Sequence, residues 1–178
     1  MPFAEHPELG EVIVPAAAIA QRVRELGHEI AAAYPSGRPV LVGILKGAFI
    51  FLADLARAVP VPVEYDVMAV SSYGDATVSS GAVRVVKDLD IDIAGRHVVL
   101  VEDIVDSGLT LRYLRELLLA REPASLEVCA LTVRASAADV GWIRWIGFRI
   151  PDHWVVGYGL DTAEKWRNLA DIRVWVGR

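Results

Sequence analysis

Three carboxylates, Glu102, Asp103 and Asp106, stand close together in the chain and run into the turn Ser107-Gly108-Leu109-Thr110. Carboxylates grouped in this way hold sugar hydroxyls or a divalent cation. A Ser/Gly/Thr turn that opens a helix holds a phosphate, through unpaired backbone N–H groups and the helix dipole. Gly108 lets the backbone approach a ligand closely, and Ser107 and Thr110 add hydroxyl donors. The combination suits a phosphorylated sugar. Asp106 has a second reading as a helix cap, and adjacent acids at a strand end also form plain solvated turns.

These residues need a strand in front of them and a helix behind. Val98–Val101 shows no polar alternation, the pattern of a strand covered on both faces in a parallel sheet. Leu111, Leu114 and Leu118 follow the turn at helical spacing. The acids therefore fall at the carboxyl edge of a buried strand, where open α/β sheets bind ligands. The same order recurs along the chain. Ile19, Val23, Leu26 and Ile30 predict a first helix that ends near residues 34–37, followed by a strand at Val40–Ile44 and a helix at Ala48–Ala58. A strand at Val63–Ser71, a Ser/Gly/Thr-rich loop over 72–82, a strand at Val83–Val86 and the Val98 strand come next. The helix from about Leu109 to Ala120 leads to a strand at Leu126–Val133 and a loop at Ala135–Gly141. Trp142–Ile150, Trp154–Tyr158 and Ile172–Val176 read as short strands. Strands alternating with helices over 16–133 predict a mainly parallel twisted sheet flanked by helices, an α/β fold with a Rossmann-like core. The expected division is one domain over 1–178, with its core over about 15–133 and a small hood from 1–14 and 134–178.

With 178 residues, 54% of them hydrophobic, the chain can bury a sizeable core. It has no run approaching the roughly 20 apolar residues of a membrane helix, and no secretory signal is visible at its N-terminus. Cys129, alone in the chain, cannot form an internal disulfide and lies in an apolar run, as a buried structural thiol does. These features predict a cytoplasmic protein. A net charge of −5 argues against nonspecific nucleic-acid binding. His6, His28, His97 and His153 show no metal-ligand spacing.

The segment 98–110 resembles the phosphoribosyl-diphosphate (PRPP) binding motif of type I phosphoribosyltransferases. Three further segments, Val42-Gly43-Ile44-Leu45-Lys46-Gly47-Ala48, Ser71-Ser72-Tyr73-Gly74 and Trp154-Val155-Val156-Gly157-Tyr158-Gly159-Leu160-Asp161, resemble the other site segments of the hypoxanthine(-guanine) phosphoribosyltransferases, in the same order. The resemblance spans roughly residues 10–170. It implies Mg²⁺-dependent transfer of the 5-phosphoribosyl group from PRPP to hypoxanthine or guanine, releasing pyrophosphate and a nucleoside monophosphate in purine salvage.

The resemblance also implies roles. Glu102 and Asp103 would hold the ribose hydroxyls, directly or through Mg²⁺. Asp106 would bond the base and accept its proton, and Ser107, Gly108, Leu109 and Thr110 would hold the 5′-phosphate. Lys46, Gly47 and Arg167 would contact pyrophosphate, with the Leu45–Lys46 peptide able to be cis. Asp161 would bind a second Mg²⁺. Ser72 and Tyr73 would belong to a lid that excludes water. Trp154 would stack on the purine, and Val155 would read its edge through the backbone. The family is commonly dimeric or tetrameric. Arg134 stands where the family places a Lys that donates to the 6-oxo group, although a one-residue shift puts Val133 there instead. Leu109 stands where a Lys is frequent, and Trp154 where Phe or Tyr is usual. Rival readings are a xanthine or adenine enzyme, and a regulator of the same fold that binds PRPP or a nucleotide without turnover.

Overall fold

A computed structural model of the chain describes residues 6–35, 37–72 and 83–177. After strand β1 (Leu9–Val14) and helix α1 (Ala16–Ala33) come β2 (Val40–Leu45), α2 (Phe49–Ala58), β3 (Glu64–Ser72) and β4 (Val83–Lys87). Then follow β5 (His97–Val105), α3 (Leu109–Leu119), β6 (Ser125–Arg134), β7 (Trp145–Ile150), β8 (Val155–Val156) and β9 (Ile172–Trp175).

The larger sheet has the order β4-β3-β2-β5-β6-β7. Its strands are parallel except for β4, which pairs antiparallel with β3 at the edge. Both faces of the central strands are covered, so the apolar runs need no alternation. On β2, Leu41 joins the core under α1 and α2, whereas Val40 and Val42 join the core under α3. On β5, Val99 and Val101 take the first face and Val98 and Leu100 the second. Side chains alternate across a strand, and here each side meets a helix. Ile19, Val23, Phe51 and Leu55 fill the first layer, and Leu111, Leu114 and Leu118 the second. Each such side chain contributes about 1.5–3 kcal/mol when fully buried. Among the described residues, no helix is long and apolar enough to cross a membrane.

A second sheet, β1-β9-β8, draws its antiparallel strands from both ends of the chain. Three expectations need correction. β7 belongs to the larger sheet, parallel to β6, so that sheet reaches Ile150 and not only residue 133. The strand begins at Trp145 because the chain turns over residues 140–143, where the Ile143 N–H donates to the Val140 carbonyl at 3.0 Å. There the Trp142 indole donates to the Asp139 carbonyl at 2.8 Å. In the segment 154–158 only Val155–Val156 pairs as a strand; Gly157 (φ 107°) and Tyr158 (φ 51°) turn the chain away.

β2 and β5 are neighbours from Val40↔Val98 to Gly43↔Val101 and then separate. β2 stays with β3 up to Leu45↔Ala69, and β5 stays with β6 up to Val105↔Val133. The chain winds one way from β2 and the other way from β5. Their carboxyl ends therefore open a crevice at the point where the strand order reverses, the usual ligand position in such sheets.

Candidate active site

β5 does not stop before its acids. It continues through them to Val105, so Glu102 and Asp103 extend past the last β2 pairing and line the crevice from inside the strand. Asp103 is 8% exposed. Its Oδ1 accepts the Ile104 N–H at 2.8 Å, and its backbone carbonyl accepts the Thr132 hydroxyl at 2.7 Å. Glu102 Oε1 accepts the Asp103 N–H at 3.2 Å. Burial pushes the Glu102 carboxyl well above its ordinary range, and the neighbouring Asp103 charge pushes it the same way. Burial also raises Asp103; hydrogen bonds and the more distant Arg167 only partly offset it. Two carboxylates forced together and short of donors are a charge pair in need of a cation or of hydroxyl donors.

The loop after β2 meets Asp103 across the crevice. The Leu45–Lys46 peptide is cis. A Cβ on Gly47 would lie 1.7 Å from Asp103 Oδ2, so only glycine allows this approach. From the other side Gly159 (φ 102°) closes on Gly47: a Cβ there would lie 2.1 Å from the Gly47 carbonyl oxygen. Three segments far apart in sequence thus converge on one glycine.

Beyond that junction lies a group of cations and acids. Arg167 donates to the Gly159 carbonyl at 2.7 Å and pairs with Asp161 at 2.8 Å. Lys46 pairs with Glu164 at 3.1 Å, and Arg167 reaches the same carboxylate at 3.4 Å. A cavity of about 390 Å³ adjoins them, lined by Lys46, Phe49, Gly159 and Arg167 among others. Tyr158 donates to Asp54 of α2 at 2.6 Å and so ties the Gly159 turn to the helix behind the Lys46 loop.

On the opposite flank, α3 begins at Gly108, which has φ 74° and no side-chain cap. Asp106 is therefore not the cap of α3. It is exposed, and its Oδ1 lies 3.5 Å from Arg134 Nε. A cavity of about 120 Å³ is lined by Glu102 and residues 104–111. The first N–H groups of a helix have no intrahelical partner, and those of α3 border this cavity. Arg134, at the end of β6, also donates to the His153 carbonyl at 2.5 Å, next to Trp154. The Trp154 ring is 59% exposed and lies 6.4 Å from the Trp175 ring, and Val155 is buried in the smaller sheet. Ser72 is the last residue of β3. Tyr73 lies outside the described residues.

The carboxylates thus stand between a phosphate-sized turn and a pair of cations, with Arg134 and Trp154 on the turn side. The sequence reading gave no role to Glu164, to Gly159 or to the Tyr158–Asp54 pair. Glu164 could have been noticed three residues from both Asp161 and Arg167, but its link to Lys46 spans 118 residues. As for a metal, no group of three or more His, Cys, Asp or Glu side chains among the described residues forms a cage. The two adjacent acids fit Mg²⁺ nevertheless, because that ion binds through one or two carboxylates and completes its shell with water and substrate phosphates.

The phosphoribosyl transferase domain family model matches residues 11–163. The chain is 50% identical to the hypoxanthine-guanine phosphoribosyltransferase of Mycobacterium avium, over 93% of this chain and 85% of that protein. It is 49% identical to the hypoxanthine phosphoribosyltransferase of Escherichia coli K12, over 89% and 91% of the two chains. A solved Trypanosoma cruzi hypoxanthine phosphoribosyltransferase in complex with the product IMP superposes with a TM-score of 0.88 at 37% identity, covering 96% of each chain.

Proposed function

The chain belongs to the phosphoribosyltransferase family, and on that premise we propose that it transfers the 5-phosphoribosyl group of PRPP to hypoxanthine. The products are IMP and pyrophosphate; guanine, giving GMP, is the second substrate. The observation that carries this reading is the placement of Glu102 and Asp103 at the β2/β5 crevice. A phosphate turn flanks them at residues 107–110 and the Lys46–Arg167 cations lie on the other side. A sugar held at the acids would have its 5′-phosphate on the turn and its leaving group toward the cations.

In the reaction a purine nitrogen forms a bond to the anomeric carbon as the carbon–oxygen bond to pyrophosphate breaks. The sugar passes through a cationic, oxocarbenium-like state, so the task is to stabilise charge at both ends. Glu102 and Asp103 orient the ribose hydroxyls and set negative potential beside the sugar. Lys46 and Arg167 take charge from the departing pyrophosphate. Asp106 accepts the proton that the base loses. The turn binds a group remote from the reacting carbon and thereby positions it. Glu102 and Asp103 would hold Mg²⁺ and Asp161 a second ion, and the metal would supply further neutralisation of the leaving group when bound. Arg134 donates to the 6-oxo group; adenine carries an amino donor there and is disfavoured. Arg134 rather than Val133 takes this role because it already reaches Asp106 and the backbone beside Trp154. Ser72 and Tyr73 serve to exclude water from the reaction.

A cytoplasmic location goes with this reading, since the lone cysteine can form no internal disulfide. So does a homo-oligomer: exposed Phe49 and Tyr65 border an apolar groove of about 380 Å³ on α2, a face suited to a second copy.

The test is pyrophosphate release from PRPP and Mg²⁺ with hypoxanthine, guanine, xanthine or adenine offered separately. Release with the two named bases, and little with adenine, is the expected result. Preference for xanthine or adenine would move the assignment to another base, and absence of release with every base would leave a ligand-binding regulator.

A further inference from the structure

Both cations assigned above to pyrophosphate are already bound to an anion of the chain itself. Glu164 Oε1 lies 3.1 Å from Lys46 Nζ. Its Oε2 lies 3.4 Å from both Nε and Nη2 of Arg167. One carboxylate thus spans the two cations as two oxygens of a phosphoryl group would. Arg167 does not need Glu164 to keep its orientation, because Asp161 and the Gly159 carbonyl hold two of its nitrogens at 2.8 and 2.7 Å. For Lys46, Glu164 is the one ion-pair partner among the described residues.

The backbone is shaped to deliver this carboxylate. Ala163 and Glu164 have φ of 49° and 64°, in the left-handed region that side chains avoid. The turn is closed by the Thr162↔Lys165 bridge and by the Glu164 N–H donating to Asp161 Oδ2 at 2.8 Å. Glu164 and Lys46 are both exposed, at 63% and 68%, so an anion from solution can reach the pair.

We infer that Glu164 is a built-in counterion that competes with pyrophosphate for Lys46 and Arg167. Its carboxylate holds the two cations together until the phosphoryl oxygens arrive, swings away as they bind, and returns as the product leaves. The inference rests on the assignment of Lys46 and Arg167 to pyrophosphate. Its consequence is a site kept at the right spacing but with its affinity for the product held down. Removing the charge abolishes the competition and also a like-charge repulsion against the bound anion.

The experiment is calorimetric titration of the full chain with inorganic pyrophosphate and Mg²⁺, for the wild type, Glu164→Gln, Glu164→Asn and Arg167→Ala. Asn tolerates a left-handed backbone and covers the case in which Gln upsets the turn. Two exposed ion pairs set the scale: the Kd for pyrophosphate should fall about threefold to tenfold in both Glu164 variants. Product inhibition by pyrophosphate should tighten in parallel. The difference from wild type should shrink at high salt, and IMP affinity should stay within about twofold. An unchanged or raised Kd in the Glu164 variants, with Arg167→Ala losing affinity, overturns the counterion role alone. Unchanged affinity in Arg167→Ala removes the underlying pyrophosphate assignment. Failure of both Glu164 variants to fold would make Glu164 a structural residue of its turn and would also overturn the inference.

Discussion

Asp66 on β3 and Asp103 on β5 are almost equally buried, at 7% and 8% exposure, yet their surroundings act in opposite directions. Burial alone would raise both carboxyls. At Asp66 three backbone donors outweigh it: Val67 N at 2.7 Å on one oxygen, Asp90 N at 2.7 Å and Ile91 N at 3.0 Å on the other. With Lys87 3.6 Å away, the carboxyl is held below its usual range. At Asp103 burial prevails: the bonds with Ile104 and Glu102 offset it only in part, and the carboxyl is pushed up. A buried charge fully met by its own chain stabilises a fold. A buried charge left partly unmet is kept for a ligand.

Substitutions can break this contrast or sharpen it. The largest effect is expected at a third aspartate, exposed Asp106. Asp106→Asn should lower kcat by about 10²- to 10⁴-fold with little change in the KM for PRPP. Near-normal turnover in steady-state assays would remove its role as the base. Asp103→Asn should lower kcat/KM for PRPP by at least about tenfold while the melting temperature does not fall. A variant that melts early but turns over normally would put Asp103 in the same class as Asp66. Asp66→Asn should do the reverse, leaving kcat alone and costing about 2 kcal/mol of stability in denaturant unfolding at neutral pH. The folded Asp66 carboxyl is depressed, so its contribution is complete above the unfolded aspartate value of about 4. It is lost as pH falls through the lower folded value. The gap between wild type and Asp66→Asn should therefore narrow in acid, and a constant gap would contradict the depressed carboxyl. The smallest effect is expected for Arg134→Ala, about tenfold in the KM for hypoxanthine, with adenine use unaffected. Equal effects on both bases would show that Arg134 does not read the 6-position.

Much of the site was legible because its pieces are local. The Val98–Val101 run, the acids and the Ser107–Thr110 turn are contiguous, and a parallel strand followed by a helix presents them at one edge by its own geometry. The elements around Val40–Ile44 and Leu126–Val133 were equally readable from their apolar runs. The place of β7 was not. A short strand rich in aromatic residues reads alike in either sheet, and it is the ladder with β6, from Cys129↔Trp145 to Arg134↔Ile150, that assigns it. The reading of Asp106 as a cap was likewise open until Gly108 proved to begin the helix without a side-chain cap.

The order of residues by itself determined which chemical groups this protein has and which of them share a strand end, because side-chain period and helix start depend on near neighbours. Only the tertiary structure decided which groups face one another: Gly47 against Asp103, Arg134 against Asp106, Glu164 between Lys46 and Arg167. Those partners are brought together by sheet order and by the return of the C-terminal segment, and contacts across such chain separations leave no periodic trace in a single sequence.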